Sequence, residues 1–396
     1  MENAAMEPSL VKDDLLAYRS EFPILGNTTY LISNSLGAMP RAVYAAMQNY
    51  AETWATRGVR AWEEGWWNLG AGVGDQIGTL MNAPAGSVST HQNVTTCQAV
   101  VSSCFNFAGK RNKIVYSDMN FPSVMYFWEA QAEYGARVHM VKTDDGITVP
   151  LERLLDAIDE QTLLVPISHV IFRSSFINDA AAIIEKAHRV GAYVLLDTFQ
   201  SLGTVPVDVR TLNVDFACGG VLKWLCGGPG VAYLYVRPDL GSKLQPKFTG
   251  WAAHKRPFAF ETGPIDRSGP PYRFMNGTPH VPALEAARPG LEIIAEVGIE
   301  KIREKSIRQT ARLIELATQR GWTVNAPSDP RKRGGTVAID MPHSEKVCRE
   351  LIKRDILVDW RPKAGVRFSP HFYNSDQELD VAIQAVEDIL HHLPQP

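Results

Sequence analysis

The chain has little excess charge of either sign. Its 396 residues include 40 Lys and Arg against 43 Asp and Glu, a formal net charge of −3. A strong positive field is what draws a protein to nucleic acid or to an anionic membrane, so we expect neither partner and a small-molecule ligand instead. No stretch approaches the ~18 uncharged apolar residues of a membrane span, and the N-terminus lacks the basic and apolar regions of a signal peptide.

Cysteine is scarce, with five residues that are scattered along the chain and form no C-x-x-C pair. An odd and scattered set is typical of reduced thiols, which predicts a cytoplasmic location. The ten histidines show no metal-ligand spacing, so the sequence predicts no metal site. Internal repeats, low-complexity tracts and long charge runs are also missing, and the composition is that of a globular protein.

Apolar runs that alternate with helical patterns fill the first two thirds of the chain. Segments such as RNKIVYSD (111–118), TLLVPISHV (162–170) and AYVLLD (192–197) are almost continuously apolar, as expected for strands covered on both faces. Their alternation with helices predicts βαβ units. We therefore expect an α/β fold with a mostly parallel sheet sandwiched by helices.

The pattern changes after residue 260. A Pro- and Gly-rich stretch at 263–282 predicts an ordered loop, and it precedes a long helical pattern that we expect to break near Pro289 and Gly290. One hydrophobic core seldom grows beyond about 300 residues, so more than one domain is expected. We predict an N-terminal segment at 1–35, a large α/β domain at 36–262, and a crossing segment with a small C-terminal α+β domain at 263–396.

Two residues form the centre of the functional prediction. Asp197 closes the run AYVLLD, and Lys223 follows 26 residues later, just before the glycine-rich turn LCGGPG. Ligands of open α/β sheets bind at the carboxyl ends of strands, where both residues are expected. A lysine forms a Schiff base with pyridoxal 5'-phosphate (PLP), and a carboxylate keeps the pyridinium nitrogen protonated. The alternative is a helix-capping aspartate and a surface lysine.

Three further motifs fit a PLP site. Thr95 and Thr96 stand at the start of an apolar helical pattern, where free N–H groups and the helix dipole favour a phosphate. Phe121, in a loop after a strand, is placed to stack on a pyridine ring. Thr278, in the NGTP loop, offers a hydroxyl to a phosphate. The respective alternatives are an ordinary helix cap, core packing and a turn.

Two residues are candidates for binding a substrate carboxylate. Arg367 lies inside an otherwise apolar strand-like run, GVRFSPH. A buried arginine needs a partner, which a bidentate substrate carboxylate would provide, and the alternative is an internal salt bridge. Asn34 precedes a glycine turn in NSLG, and its alternative is a plain turn.

With these motifs, the chain resembles the kynureninases, within the fold-type-I PLP enzymes of the class V aminotransferase group. The resemblance runs from YLISNSLGAMP near the N-terminus to the final helix. GWAAH followed by NGTP points to the kynureninase branch, whereas the spacing of Asp197 and Lys223 is shared by the whole group. The other matching segments are NSLG (34–37), RAWEEGWW (60–67), NFPS (120–123), LKWLCGGPG (222–230), KRGGTVAI (332–339) and VRFSPHFYN (366–374).

The resemblance implies a role for each cofactor residue. Lys223 would hold PLP as an internal aldimine and then act as the catalytic base. Asp197 would pair with the pyridinium, and Phe121 would stack on the ring. Thr95 and Thr96 would bind the phosphate.

The resemblance also implies roles across subunits and toward the substrate. Members of the group are homodimers with active sites at the subunit interface, so Trp251 and Thr278 would reach the phosphate from a second subunit. Arg367 and Asn34 would hold the α-carboxylate of an L-α-amino acid.

Three positions depart from the kynureninase pattern. Gln200 replaces a histidine and matches instead the D-x-x-Q of cysteine desulfurases, where the amide contacts the cofactor's phenolic oxygen. Leu222 replaces a tyrosine just before the lysine, which removes a phosphate ligand and a proton donor. Val124 replaces an aspartate after F-P-S.

Several reactions are therefore open. The first is kynureninase-like hydrolytic cleavage of the Cβ–Cγ bond, which releases alanine by way of a Lys223 aldimine and a quinonoid. The second is β-elimination by a C–S lyase, or another class V activity such as aminotransfer or epimerisation. A desulfurase would need a mobile catalytic cysteine, and the only late one, Cys348, falls in a predicted helix. A non-catalytic paralogue is the last alternative, although it would have no need for Lys223.

Overall fold

A computed structural model describes residues 13–393 of the chain. The N-terminal stretch used for the signal-peptide prediction lies largely outside these residues. The described strands are β1 Thr29–Tyr30, β2 Val88–His91, β3 Lys113–Ser117, β4 Arg137–Val141, β5 Thr162–Ser168, β6 Tyr193–Asp197, β7 Phe216–Gly220, β8 Ala232–Val236, β9 Thr323–Val324, β10 Val337–Asp340, β11 Ile356–Leu357, β12 Asp359–Arg361 and β13 Gly365–Phe368. The described α-helices are α1 Val43–Arg57, α2 Trp66–Leu80, α3 Val94–Ser103, α4 Pro122–Ala130, α5 Leu151–Ala157, α6 Ala180–Val190, α7 Val209–Leu212, α8 Pro238–Gly241, α9 Val281–Val297, α10 Ile299–Gln319, α11 Ser344–Lys353 and α12 Asp376–His391.

The larger sheet has seven strands in the order β2-β8-β7-β6-β5-β3-β4. Strands β4, β3, β5, β6 and β7 pair in parallel, while β8 is antiparallel to both of its neighbours. Every residue of β5, β7 and β8 is buried, because helices cover both faces of the sheet. The predicted α/β architecture with a mostly parallel sheet is confirmed.

The smaller sheet has four antiparallel strands in the order β12-β13-β10-β9. It packs with α10, α11 and α12 around a second hydrophobic core. Helix α12 begins with a capping box in which Ser375 and Glu378 satisfy each other's backbone N–H groups. Near the N-terminus, β1 pairs in parallel with β11. The domain boundaries at 35 and 262 remain predictions.

The helical pattern after residue 280 does not break where the sequence suggested. Helix α9 runs through Pro289 and Gly290, and the chain interrupts the pattern at Gly298 instead. A Cβ on Gly290 would lie 2.5 Å from the carbonyl oxygens of Leu225 and Cys226. The glycine therefore lets the loop after Lys223 rest directly on the helix, so that tertiary packing overrides the local tendency to break.

Among residues 13–393, no helix is long and apolar enough to cross a membrane. Over the same residues, no group of three or more His, Cys, Asp or Glu side chains is placed to hold a metal ion. The five cysteines form no disulfide, and all except the half-buried Cys104 are buried.

Candidate active site

The carboxyl ends of several strands place the candidate residues at one edge of the larger sheet. Asp197 is the last residue of β6, and Lys223 follows β7, the parallel neighbour of β6. Residues that follow β2, β3 and β5 come to the same edge, because these strands run in the same direction. This edge is where ligands bind in open α/β sheets.

A cavity of about 270 Å³ lies at this edge. It brings together five of the predicted cofactor residues, and it is also lined by all three positions that depart from the kynureninase pattern. Its walls are Asn93, Val94, Thr95, Phe121, Ser123, Val124, Ser168, Val170, Phe172, Asp197, Phe199, Gln200, Leu222 and Lys223. Lys223 and Asp197 are the only residues among these with ionisable side chains, so the rest of the wall is apolar or neutral.

The Asp197 carboxylate is buried and has only one hydrogen bond among the described residues. Its Oδ1 accepts from the N–H of Phe199 at 3.0 Å, which leaves Oδ2 without a donor. Burial raises the pKa of the Asp197 carboxyl above its ordinary value, while the Phe199 bond and the charge of Lys223 act in the opposite direction. A buried carboxylate of this kind needs a donor or a cation, which a pyridinium N–H supplies.

The Lys223 amine lies close to two aromatic rings. Its Nζ is 4.2 Å from the ring centroid of Phe199 and 5.6 Å from that of Phe121. Phe121 in turn meets Phe172 edge to face, with centroids 5.2 Å apart. Burial lowers the pKa of Lys223 to about 8, with the charge of Asp197 acting against this shift. No ion pair within 4.0 Å joins Lys223 to an acidic side chain among residues 13–393, so no salt bridge keeps the amine from reacting with a ligand.

The N-terminus of α3 forms another wall of the cavity. Asn93 caps the helix, because its side chain accepts from the backbone N–H of Thr96 at 3.0 Å. The N–H groups of Val94 and Thr95 have no partner within the helix, as at any helix start. Thr95 lines the Lys223 cavity, whereas Thr96 lines a neighbouring cavity of about 200 Å³. The two threonines therefore face different spaces.

Gln200 links the cavity to distant parts of the chain. Its Nε2 donates to the carbonyl of Asn34 at 3.0 Å, and its Oε1 accepts from Trp224 Nε1 at 2.9 Å. His371 Nε2 lies 2.9 Å from the carbonyl of Trp224. The second N–H of the Gln200 amide has no partner among the described residues, and Gln200 lines the cavity, so this N–H is free to donate to a ligand.

Asn34 and the turn that follows it pack against the Lys223 loop. Asn34 is 1% exposed, and neither its amide nitrogen nor its amide oxygen has a hydrogen-bond partner among the described residues. Gly37 donates its N–H to the carbonyl of Leu222 at 2.8 Å. A Cβ on Gly37 would overlap the carbonyl oxygen of Lys223, which explains why this turn contains glycine.

Arg367 has an internal partner, as the alternative interpretation proposed. Its Nε and Nη2 bind both oxygens of Asp359, at 2.7 and 2.5 Å, and its Nη1 donates to the carbonyl of Phe172 at 2.5 Å. Asp359 and Arg367 stand opposite each other on β12 and β13. Neither residue lines the Lys223 cavity.

Trp251 and Thr278 do not line the cavity of their own chain. Thr278 is exposed and borders the neighbouring 200 Å³ cavity together with Thr96. Trp251 is 38% exposed and packs against Trp67 and Phe258, with ring centroids 4.9 and 5.7 Å away. Both residues therefore stand outside the pocket that their own Lys223 occupies.

Sequence reasoning missed several residues at the site. Phe199 stands two positions after Asp197, and its ring is the nearest aromatic group to Nζ. Trp224 directly follows Lys223 in the sequence, so its place at the site could have been predicted from that position. Phe172 and Asp359 gave no signal, because their contacts depend on pairings between segments far apart in sequence.

The arrangement fits PLP. An unpartnered carboxylate oxygen, an amine with a lowered pKa, an aromatic ring and a helix N-terminus surround one cavity. These groups match, in turn, the pyridine nitrogen, the aldehyde, the ring face and the phosphate of the cofactor.

Comparison with known proteins identifies the family. The model of the family described as "Aminotransferase class-V" matches residues 29–381. The chain belongs to the class V aminotransferase family. It is 31% identical to a kynureninase from Pseudomonas fluorescens, over 96% of this chain and 93% of the relative. It is 30% identical to the uncharacterized aminotransferase YcbU of Bacillus subtilis, over 93% of this chain and 96% of the relative.

Solved structures show the same fold. A cysteine desulfurase from Thermococcus onnurineus covers 95% of this chain and 98% of its own, with a TM-score of 0.85 and 21% identity. C-DES, with glycine covalently linked to its PLP cofactor, covers 93% of this chain and 99% of its own, with a TM-score of 0.84 and 20% identity. A further structure of C-DES describes it as a cystine C–S lyase.

These findings confirm four of the predictions. The chain is a kynureninase-like class V family member, it has the fold-type-I architecture, it is a PLP-dependent enzyme, and its cofactor is pyridoxal 5'-phosphate.

Proposed function

We propose that this enzyme acts on an L-α-amino acid and cleaves a bond at Cβ. The observation that supports this most is the shared cavity of Lys223 and Asp197, in which one group is suited to hold the cofactor's aldehyde and the other its ring nitrogen. Hydrolytic Cβ–Cγ cleavage and β-elimination both begin with loss of the Cα proton, so the same two residues serve either reaction.

Five residues would hold PLP. Lys223 would bind it covalently and Asp197 would accept the N–H of its ring. Phe121 would cover one face of the ring, and Thr95 with the start of α3 would bind the phosphate. Gln200 would donate its remaining N–H to the phenolic oxygen. The cofactor supplies an electron sink for the pair of electrons left when a bond to Cα breaks.

Lys223 would also move the proton. Once the substrate amine has taken its place, the freed ε-amine would accept the proton from Cα. A lysine of ordinary pKa is protonated at neutral pH and cannot do this. Burial lowers the pKa of Lys223 to about 8, which leaves a useful fraction of neutral amine.

Asn34 and Arg367 would bind the substrate's α-carboxylate. The unpartnered amide of Asn34 is the stronger structural argument, because a buried amide without hydrogen bonds is costly. Arg367 would have to exchange at least one of its internal partners first.

Kynureninase-like cleavage is the first candidate reaction. It would hydrolyse a Cβ–Cγ bond next to a carbonyl and release alanine. The similarity to kynureninases over almost the whole chain supports it.

Beta-elimination is the second candidate, and the cavity walls favour it. Val124 and Leu222 present apolar side chains to the cavity, and Leu222 stands where kynureninases carry a tyrosine. Elimination needs no group that activates water, so it tolerates these walls better. A persulfide-carrying desulfurase is disfavoured, because Cys348 is buried in α11 and its thiol donates a hydrogen bond to the carbonyl of Val358.

We further propose a homodimer in the cytoplasm. Trp251 and Thr278 lie outside their own cavity, as residues that serve a partner's site would. Helix α1 has no buried residue and exposes Tyr44 and Trp54, a face suited to a second copy. The free thiols support a reducing compartment.

Product analysis decides between the two reactions. The purified holoenzyme would be incubated with L-kynurenine and, separately, with L-cystine. Alanine from kynurenine supports hydrolytic cleavage, whereas pyruvate from cystine supports β-elimination. A Lys223→Ala variant is the control and is expected to form neither product. Turnover by that variant would contradict the proposal.

A further inference from the structure

The carboxylate of Asp359 occupies the edge of Arg367 that a substrate carboxylate would use. A guanidinium offers five N–H groups, and the edge formed by Nε and Nη2 binds a carboxylate through two parallel bonds. In this structure both oxygens of Asp359 hold that edge, at 2.7 and 2.5 Å. The Arg367 side chain is only 3% exposed, so water does not satisfy it.

A second cation is already in contact with Asp359. Arg361 Nη2 lies 3.0 Å from Asp359 Oδ2, on the same strand, and its side chain is 41% exposed. Asp359 therefore has a partner that stays with it when it leaves Arg367. The two arginines and the one carboxylate carry a net charge of +1, which one further carboxylate neutralises.

The triad is connected to the catalytic cavity. Arg367 Nη1 donates to the carbonyl of Phe172, a residue that lines that cavity. Arg367, Asp359 and Arg361 also lie near enough for their charges to act on Lys223.

We infer that Asp359 is an internal carboxylate latch, which the substrate's α-carboxylate displaces from Arg367 and which then rests on Arg361. This inference depends on the proposed role of Arg367 in substrate binding. Arg367 keeps a carboxylate partner in both states, so no buried cation is left alone. An unpaired buried charge is strongly destabilising, and the exchange avoids that cost.

Because of the latch, only a ligand that carries its own carboxylate can bind tightly. The apparent dissociation constant equals the intrinsic one divided by the fraction of molecules in which Arg367 is free. An amino acid displaces Asp359 by offering an equivalent group. An amine without a carboxylate cannot, so Asp359 acts as a specificity-determining residue.

Binding titrations of the holoenzyme test the latch. L-alanine and L-alaninamide would be titrated while the visible absorbance of the bound cofactor is followed. In Asp359→Asn the competing charge is gone, and the dissociation constant for L-alanine is expected to fall about tenfold or more. The constant for L-alaninamide is expected to stay unchanged, because it has no carboxylate.

Two further variants complete the test. Arg361→Gln removes the resting place of Asp359, so L-alanine is expected to bind more weakly although Arg361 does not touch the substrate. Asp340→Asn, an exposed aspartate on β10 in the same sheet, is the matched control and is expected to match the wild type. If Asp359→Asn does not melt cooperatively and is therefore misfolded, the binding of L-alanine by Arg361→Gln tests the latch instead.

The outcomes separate this inference from the proposed function. Unchanged or weaker alanine binding in a folded Asp359→Asn would overturn the latch and leave Asp359 as a residue that merely positions Arg367. Unchanged alanine binding in Arg361→Gln would also overturn it. A wild-type enzyme whose absorbance responds to no amino acid would instead contradict the proposed function itself.

Discussion

At the scale of single residues, Lys223 and Asp197 sit in environments that oppose their usual charges. Burial disfavours both the ammonium of Lys223 and the carboxylate of Asp197. PLP would relieve both groups, because the amine would be consumed in a covalent link and the carboxylate would gain a charged N–H partner. Cofactor binding would therefore offset the cost that burial imposes on both charged groups.

The lowered pKa of Lys223 predicts how cofactor uptake depends on pH. Only the neutral amine attacks an aldehyde, so the rate of uptake by the cofactor-free protein should rise with pH and level off above a midpoint near 8. A small lysine derivative with an ordinary pKa should instead keep rising toward pH 10.5. Stopped-flow absorbance measures both rates. A protein midpoint above pH 10 would show that burial does not act on the amine as argued.

Asp197 provides a second prediction at this scale. Asp197→Asn keeps an oxygen for the Phe199 N–H but removes the negative charge, so the ring nitrogen would no longer be held protonated. We expect exchange of the substrate's Cα proton with deuterated water to slow by about 100-fold or more, while some cofactor still binds. Nuclear magnetic resonance of L-alanine measures the exchange, and Asp340→Asn is the charge-matched control. Exchange at the wild-type rate would rule out the electron-sink role of the carboxylate.

At the scale of elements, the turn after Asn34 and the loop after β7 fit together without a side chain between them. Gly37→Ala would place its Cβ against the carbonyl oxygen of Lys223 and within 3.0 Å of Cys226. We expect the variant to lose about 1–3 kcal/mol of stability and to bind PLP more weakly. Gly26→Ala is the control, since its Cβ would meet nothing within 4 Å. Thermal melting and cofactor titration measure the two effects, and equal behaviour of both variants would contradict the close fit.

Helix α9 supports a similar test of packing. Alanine is usually better than glycine inside a helix by about 1 kcal/mol, yet Gly290→Ala would press on the carbonyls of Leu225 and Cys226. We therefore expect Gly290→Ala to destabilise the protein by about 1–3 kcal/mol. Gly72→Ala, in α2 with open space around it, should stabilise it by about 0.5–1 kcal/mol. Denaturant unfolding gives both values, and a stabilising Gly290→Ala would show that the loop does not rest on the helix.

These elements also show what the sequence can and cannot predict. Strands such as β5 and β6 were predicted because burial on both faces leaves a continuous apolar run. The break at Pro289 was wrong, because Gly290 is there to admit a loop that lies more than sixty residues away in sequence. The alternatives for Arg367 stayed open for the same reason. Its partner Asp359 is set by the pairing of β12 with β13, which no local pattern records.

At the scale of the whole molecule, the site is assembled from segments that span most of the chain. Asn34 comes from the N-terminal region, Gln200 and Trp224 from the loops that follow β6 and β7, and His371 from the C-terminal region. Hydrogen bonds connect these four residues in series. Trp251 and Thr278 are the exceptions, because neither lines the Lys223 cavity of its own chain. Within a single chain, two of the cofactor residues that the family resemblance implies therefore have no role.

Mixed dimers test whether a second chain uses those residues. One chain would carry Lys223→Ala and the other Trp251→Ala with Thr278→Ala, each under a different affinity tag. Each homodimer should be inactive or strongly impaired. A heterodimer in which residues 251 and 278 serve the partner's site has one intact site, so refolding an equal mixture should restore about a quarter of the wild-type turnover, since half of the dimers are mixed.

The result differs sharply if both residues serve their own chain. Every site in the mixture would then carry at least one defect, and no turnover should return beyond the level of the homodimers. A sample whose two chains are denatured and refolded separately, then assayed together before subunits exchange, is the control. Recovery of turnover only in the co-refolded sample would require that the active site is built from two chains. If no turnover is recovered, Trp251 and Thr278 do not contribute to a partner's site.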